Sequence, residues 1–358
     1  MSSKSICFLI GNLDHSGGTE RVTTLIANAL VLKGYQISIL SLSGGTSPFF
    51  ELDPVIKLYS LYTQALSMKK NYIGAVWKIR KFVIEKEIDT LVVVDSISCV
   101  FTVPALWGVK VKHICWEHFN FNVNLGVKFR DVGRRWAAKY CDYIITLTKR
   151  DEELWSKGLK NITARIRPIS NPSPYGVQNF IPSLSSKTIL CVGRLNFQKG
   201  FDLLILAWSK IANLIPEWKI IIVGTGEEEK KLKEMVIEYG VEKSIIFTGQ
   251  QKNMDAYYRA SSFFCMSSRF EGLPMVLLEA QSYGLPIVAF DCDTGPAELV
   301  TNKNGYLVEK ENIDLLASAM LEMTTLSTSK FEDLIRHTLK NTANFNLNAI
   351  IELWDEIL

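Results

Sequence analysis

The stretch KTILCVGRLNFQKGFDLLI, residues 187–205, decides the fold. TILCV is apolar at nearly every position, and Gly193 ends it. A strand without polar alternation must be covered on both faces, as the strands of parallel sheets are. After a short loop bounded by Gly193 and Gly200, FDLLI resumes the apolar pattern at helical spacing. Strand, glycine-bounded loop and helix together make one βα unit.

The same unit recurs on both sides. SICFLIG, YQISILSL, TLVVVDS, VKHICWEH and YIITLT supply five strands in the first half of the chain. KTILCVGRL, KIIIVGTG, SIIFTGQ, SFFCMSS and PIVAFD supply five in the second. Two sets of parallel strands separated by helices predict an α/β protein with two Rossmann-like domains, and 358 residues suit two cores better than one. The stretch RPISNPSPYGVQNFIPSLSSK, residues 167–187, is rich in Pro, Ser and Asn and lacks periodicity. The expected division is therefore residues 1–170, a linker at 171–187, a second domain at 188–340, and a terminal helix at 341–358.

Composition narrows the class. Hydrophobic residues make up 47% and charged residues 22%, which fits a packed globular chain. No apolar run approaches the roughly 20 residues that span a bilayer, and the opening MSSKSICFLIGN is too short for a signal peptide. The seven cysteines lie mostly in apolar strands without C-x-x-C spacing or a histidine partner, which predicts free core thiols in a reducing cytoplasm and no metal. The net charge of +3 is unevenly divided. Residues 1–180 hold 23 Lys and Arg against 14 Asp and Glu, and the remainder 17 against 23. A first half at +9 and a second at −6 predict that the first meets something anionic.

In open α/β sheets ligands bind beyond the carboxyl ends of the strands, so the residues after each strand are the candidates. Gly17 and Gly18 precede a helix whose N-terminus suits a phosphate, or they form a plain tight turn. Glu117 and His118 follow the fourth strand, and the histidine reads as structural or catalytic. Gly193, Arg194, Lys199 and Gly200 surround the loop already quoted; its two cations would neutralise a diphosphate, or they are solvated surface charge. Gly224 and Gly226 end another strand, and Gly249, Gln250 and Gln251 a third, where backbone contacts to a nucleobase are plausible. The stretch SSRFEGLPMVLLEA, residues 267–280, carries Glu271 before a helix and Glu279 within its apolar pattern. A carboxylate facing a core costs several kcal/mol unless partnered, so Glu279 calls for a partner.

This ordered set resembles the family 4 retaining glycosyltransferases of GT-B fold over essentially the whole chain, most closely bacterial enzymes that extend undecaprenyl-diphosphate-linked sugars with galactose or N-acetylgalactosamine. The resemblance implies two Rossmann-like domains facing each other across a cleft. It implies a UDP-sugar as co-substrate, no further cofactor, no metal, and a lipid-linked or polysaccharide acceptor. The roles it implies place Glu279 on the ribose hydroxyls and Glu271 on the donor sugar, with N–H groups of Gly272 and Leu273 nearby. Arg194 and Lys199 would meet the diphosphate, and His118 the donor sugar. Many relatives have glycine where this chain has Pro274, which removes one N–H contact. A GT-B epimerase or phosphorylase, a transferase with a soluble acceptor, and a non-catalytic sugar-nucleotide binder are the alternatives.

The basic stretch MKKNYIGAVWKIRKFVIEKE, residues 68–87, interleaves Lys69, Lys70, Lys78, Arg80, Lys81 and Lys86 with Trp77, Ile79, Phe82 and Val83. A second cluster carries Lys128, Arg130, Arg134, Arg135 and Lys139. Both suit an anionic membrane surface, and with the resemblance they imply a cytoplasmic protein peripheral to the inner face of the membrane. The alternative is ordinary amphipathic helices packed on a core. Basic nucleic-acid modules are absent, so no nucleic-acid partner is expected.

Overall fold

The computed structural model describes residues 4–64, 68 and 70–358, so Lys69 of the basic stretch lies outside the described residues. The chain divides into two compact units, Met1–Pro172 with Leu347–Leu358, and Ser173–Asn346.

The first unit holds a seven-stranded, all-parallel sheet. Its strands are β1 (Ser5–Ile10), β2 (Gln36–Ser41), β3 (Lys57–Ser60), β4 (Thr90–Val94), β5 (Lys112–Trp116), β6 (Tyr143–Thr146) and β7 (Arg165–Pro168), in spatial order β3-β2-β1-β4-β5-β6-β7. The second unit holds six parallel strands, β8 (Thr188–Val192), β9 (Lys219–Val223), β10 (Ile245–Phe247), β11 (Phe263–Met266), β12 (Ile287–Asp291) and β13 (Gly305–Glu309), in order β10-β9-β8-β11-β12-β13. In each unit the chain first winds outward from one central strand and then restarts on its other side. The direction therefore reverses between β1 and β4 and between β8 and β11, and the loops leaving those strands border the switch-point crevice.

The expectation of five strands per domain missed β3, β7 and β13. All three are edge strands carrying half-buried polar residues, as in KLYS and RIRP, so none shows a continuous apolar run. The central strands β4 and β11, by contrast, are buried at every position.

Each sheet is sealed by helices of matching pattern. Helix Phe201–Ile211 buries Phe201, Leu204, Ile205 and Trp208 over the second sheet. Fully burying such a side chain contributes about 1.5–3 kcal/mol. Helix Leu347–Asp355 belongs to the first unit, where the Trp354 ring lies 4.8 Å from that of Trp116 and 6.3 Å from that of Phe8. It is pinned by a Lys33–Glu352 ion pair, a Tyr35–Asp355 hydrogen bond and Lys112 Nζ donating to the Leu358 carbonyl at 2.9 Å. The preceding helix, Thr328–Thr342, lies in the second unit, so the terminal segment that changes unit starts at Leu347 and not at residue 341. Most of the stretch read as a linker also belongs to the second unit, where Ser173 Oγ lies 2.7 Å from Ser282 Oγ.

Candidate active site

The second unit assembles most of the expected residues at the β8/β11 switch point. The loop after β8 runs through Gly193 and Arg194 to a single turn of 3₁₀ helix, Phe197–Lys199. Gly200 then reverses the chain at φ 63°, and a Cβ there would stand 2.1 Å from the Ser267 carbonyl oxygen. That close approach brings Lys199 against the loop after β11. Lys199 Nζ donates to Glu271 Oε1 at 2.6 Å, and both side chains are largely buried. The Glu271 backbone is fixed as well, its carbonyl accepting from Thr294 Oγ1 at 2.6 Å.

A residue not predicted from sequence holds these two loops together. Arg269 grips both carboxylate oxygens of Asp202, at 2.9 and 2.6 Å, and donates to the Phe197 carbonyl at 2.8 Å. Burial by itself would raise the Asp202 carboxyl, but the Arg269 hydrogen bonds and charge outweigh it and hold the carboxyl below its usual range. The fork ties the start of helix Phe201–Ile211 to the β11 loop, and so keeps Lys199 within reach of Glu271.

The glycines form a close-packed row along the same sheet edge. Gly193 N donates to the Val223 carbonyl, and Gly224 N to the Gly249 carbonyl at 2.9 Å. Gly224, at φ 143°, leaves its missing Cβ only 2.0 Å from the Gly193 carbonyl oxygen. No side chain fits at Gly224, so the strand ends pack there backbone against backbone. Gln250, one residue beyond, is exposed. Gly272 and Leu273 form the turn before helix Met275–Ser282, which starts directly after Pro274.

Two expectations change here. Glu279 is buried as predicted, but the chain itself supplies a partner: Tyr258 Oη donates to Glu279 Oε2 at 2.7 Å, and the Tyr258 ring stacks on Tyr283 with centroids 4.8 Å apart. Arg194 does not join Lys199. Its side chain is 71% exposed and faces Glu227 at 3.4 Å, so Lys199 alone of the two cations stands at Glu271.

In the first unit, Gly17 caps helix Gly18–Leu32, and a Cβ on it would lie 2.4 Å from Glu20 Oε2. The ends of β4 and β5 hold a buried ionic cluster. Glu117 is fully buried, accepts from Ser96 Oγ and from the N–H groups of His118 and Phe119, and lies 3.4 Å from Arg134 Nε and 3.8 Å from Arg130 Nη1. Arg130 also grips Asp95 at 2.6 Å. Asp95 sits at φ 76°, a strained conformation for a side-chain-bearing residue that costs about 1–3 kcal/mol. Burial, helped by the neighbouring Glu117 charge, pushes its carboxyl up to about 6. Beside the cluster, the His118 ring lies 4.5 Å from that of Trp116, and its Nε2 is buried without a hydrogen-bond partner among the described residues. Burial lowers this imidazole to about 3, so it is neutral.

This cluster corrects the reading of Arg130 and Arg134 as membrane-facing cations. Both are buried, and Arg134 spends its donors on the carbonyls of Asn120, Phe121 and Val123. Lys78 and Arg80 are likewise engaged inward, on the Leu61 carbonyl and on those of Ala105 and Trp107. The view that no cysteine has a histidine partner also fails, because Cys141 Sγ lies 3.5 Å from His113 Nδ1. Among the described residues no helix is long and apolar enough to cross a membrane.

Comparison with known proteins identifies the family. Residues 16–172 match the family described as Glycosyltransferase Family 4, and residues 179–340 the glycosyl transferases group 1. An uncharacterized glycosyltransferase of Haemophilus influenzae is 38% identical, over 99% of this chain and 100% of its own. An amylovoran biosynthesis glycosyltransferase of Erwinia amylovora is 28% identical over 99% of both chains. A Campylobacter jejuni α-1,4-N-acetyl-D-galactosaminyltransferase, named for a diphospho-undecaprenol-linked acceptor, is 26% identical over 99% of this chain and 98% of its own. Among solved structures, the lipopolysaccharide outer core galactosyltransferase WaaB aligns with a TM-score of 0.78 at 20% identity, covering 99% and 98% of the two chains. The Anabaena protein Alr3699/HepE, solved with UDP and glucose, aligns with a TM-score of 0.78 at 18% identity over 98% of each. The chain belongs to the family 4 glycosyltransferases of GT-B fold, its first unit matching the family 4 description and its second the group 1 description.

Proposed function

We propose that the chain transfers a hexose or N-acetylhexosamine from a UDP-sugar, with retention and without a metal ion, to a lipid-diphosphate-linked glycan in bacterial surface polysaccharide assembly. The observation that carries this reading is the Lys199–Glu271 contact at the switch point of the second sheet. An acid held by a cation beside a glycine-lined strand edge suits a bound sugar diphosphate. Glu271 would hold sugar hydroxyls while Lys199, assisted by the N–H groups of Gly272 and Leu273, balances the charge of the leaving diphosphate. Arg194 reaches that charge by leaving Glu227, an exposed pairing of little worth.

Glu279 takes the ribose hydroxyls, with Tyr258 orienting its carboxylate. Gly193, Gly224 and Gly249 admit the nucleotide's backbone contacts, and Gln250 borders the base. His118, a neutral imidazole, contributes a hydrogen bond to the transferred sugar. Gly17 and Gly18 offer a helix N-terminus to phosphate. In the reaction, the bond from the anomeric carbon to phosphate oxygen breaks as the acceptor oxygen bonds on the same face. The departing phosphate takes the acceptor proton. UDP as donor is supported by the HepE complex, and a diphospholipid acceptor by the Campylobacter relative.

We also infer contact with an anionic membrane surface at the inner face of the cell membrane. Helix Tyr72–Glu85 buries Ala75, Ile79 and Val83 and leaves Ile73, Trp77 and Ile84 exposed on its other side, with Lys81 over the Trp77 ring. Aromatic and aliphatic groups fringed by lysine suit a bilayer interface.

The test is transfer by the purified chain from a panel of UDP- and GDP-sugars to a synthetic undecaprenyl-diphosphate glycan, with and without added magnesium or manganese. One UDP-sugar should serve, and an α-linked donor should give an α-linked product. A β-linked product, a requirement for added magnesium or manganese, or conversion of the nucleotide sugar without acceptor would overturn the reading.

A further inference from the structure

The core of the first unit contains a cluster of soft ligands that the transfer reaction does not use. Sγ of Cys99, Sγ of Cys141 and a ring nitrogen of His113 lie within 4.8 Å of one another, and all three residues are buried. Local structure explains the convergence. Strand alternation places His113 and Cys115 on the same face of β5. Cys99 opens helix Cys99–Ala105, and Thr102, three residues on, shares its face. Cys141 ends helix Lys128–Tyr140.

We propose that Cys99, His113 and Cys141 form a three-ligand site for a thiophilic divalent metal ion of the zinc type. The geometry fits the chemistry. With Zn–S near 2.3 Å and Zn–N near 2.0–2.1 Å, tetrahedral ligation sets a nitrogen and a sulfur about 3.5 Å apart. His113 Nδ1 and Cys141 Sγ are separated by 3.5 Å. The other ring nitrogen, Nε2, is 3.0 Å from Thr102 Oγ1, an outer contact that fixes the ring and directs Nδ1 at the sulfurs. Two thiolates and a neutral imidazole cancel the charge of a dication, so the filled site carries no net charge into the core. Binding releases the two thiol protons to solvent. The ion would tie β5 to both helices, one of which carries Arg130 and Arg134.

The experiment is elemental analysis of the full chain purified without chelator, followed by cobalt(II) substitution of the chelated protein. About one zinc per chain is expected, and cobalt should give a thiolate-to-metal charge-transfer band. Both should be lost in Cys99→Ser and Cys141→Ser and kept in Cys265→Ser, a buried thiol of the second unit. Because serine at a core position can impair folding, the wild type supplies an independent readout. Its melting temperature should fall on chelation and recover with zinc. A folded wild type holding under a tenth of an equivalent of metal, with no cobalt thiolate band and no response to chelator, would overturn the proposal. So would a cobalt band that persists in both cysteine variants. Either result would leave these thiols as small apolar core groups.

Discussion

At the residue scale the proposed reaction rests on three side chains of the second unit. Lys199 and Glu271 are joined by the switch-point topology, while Glu279 sits within a helix and is oriented by Tyr258. The burial of Glu279 is legible in its sequence, an acid inside VLLEA, but its partner is not. Tyr258 stands 21 residues earlier on a helix of five residues, and only the folded sheet brings them together. Tyr258→Phe removes the donor from a buried carboxylate and should cost about 1–3 kcal/mol in thermal or urea unfolding. Glu271→Ala should lower kcat and kcat/KM together while UDP affinity stays within a few fold, since an interaction made mostly in the transition state is lost. Full turnover in that variant would remove Glu271 from the reaction. His118 has been lowered to about 3 by burial, so it cannot titrate in the working range. The pH–rate profiles of wild type and His118→Asn should share their inflections between pH 5 and 8 and differ only in height.

Among elements, the loops are what the sequence leaves undetermined. Strands such as TILCV and TLVVV announce themselves because both faces are covered, whereas the edge strands KLYS, RIRP and GYLVE carry polar residues and do not. The Arg269–Asp202 fork spans 67 residues and leaves no local signal, yet it sets the loop that presents Lys199. Asp151 shows the same in the first unit. It lies in the first turn of helix Lys149–Gly158, is buried, and accepts the Phe121 N–H at 2.7 Å, which fixes the loop after β5. Burial raises its carboxyl to about 7. A raised carboxyl gives its full stability below the unfolded value near 4 and loses it as pH rises toward 7. Asp151→Asn keeps an acceptor for Phe121 and escapes that loss. Its melting temperature should therefore gain on the wild type progressively from pH 4 to 7 and hold its lead above. A constant difference across that range would show that folding does not raise the Asp151 carboxyl.

For the whole molecule, the division of charge between the two halves is plain in the sequence, but its placement is not. Arg130 and Arg134 are drawn into a buried ionic cluster, and the exposed groups of helix Tyr72–Glu85 are as much apolar as basic. Flotation with anionic vesicles should accordingly fall when Ile73 and Trp77 are both changed to serine, and fall again at high salt. Equal flotation with neutral vesicles would exclude the electrostatic part. The second unit is proposed to bind a nucleotide at its glycine-lined strand edge, with Glu279 on the ribose. Calorimetric titration of UDP into the full chain and into a folded Glu279→Ala variant tests it most directly. Losing hydrogen bonds to a charged group should weaken UDP binding roughly 10- to 150-fold. Unchanged affinity in the variant, or no UDP binding by the wild type, would contradict the claim.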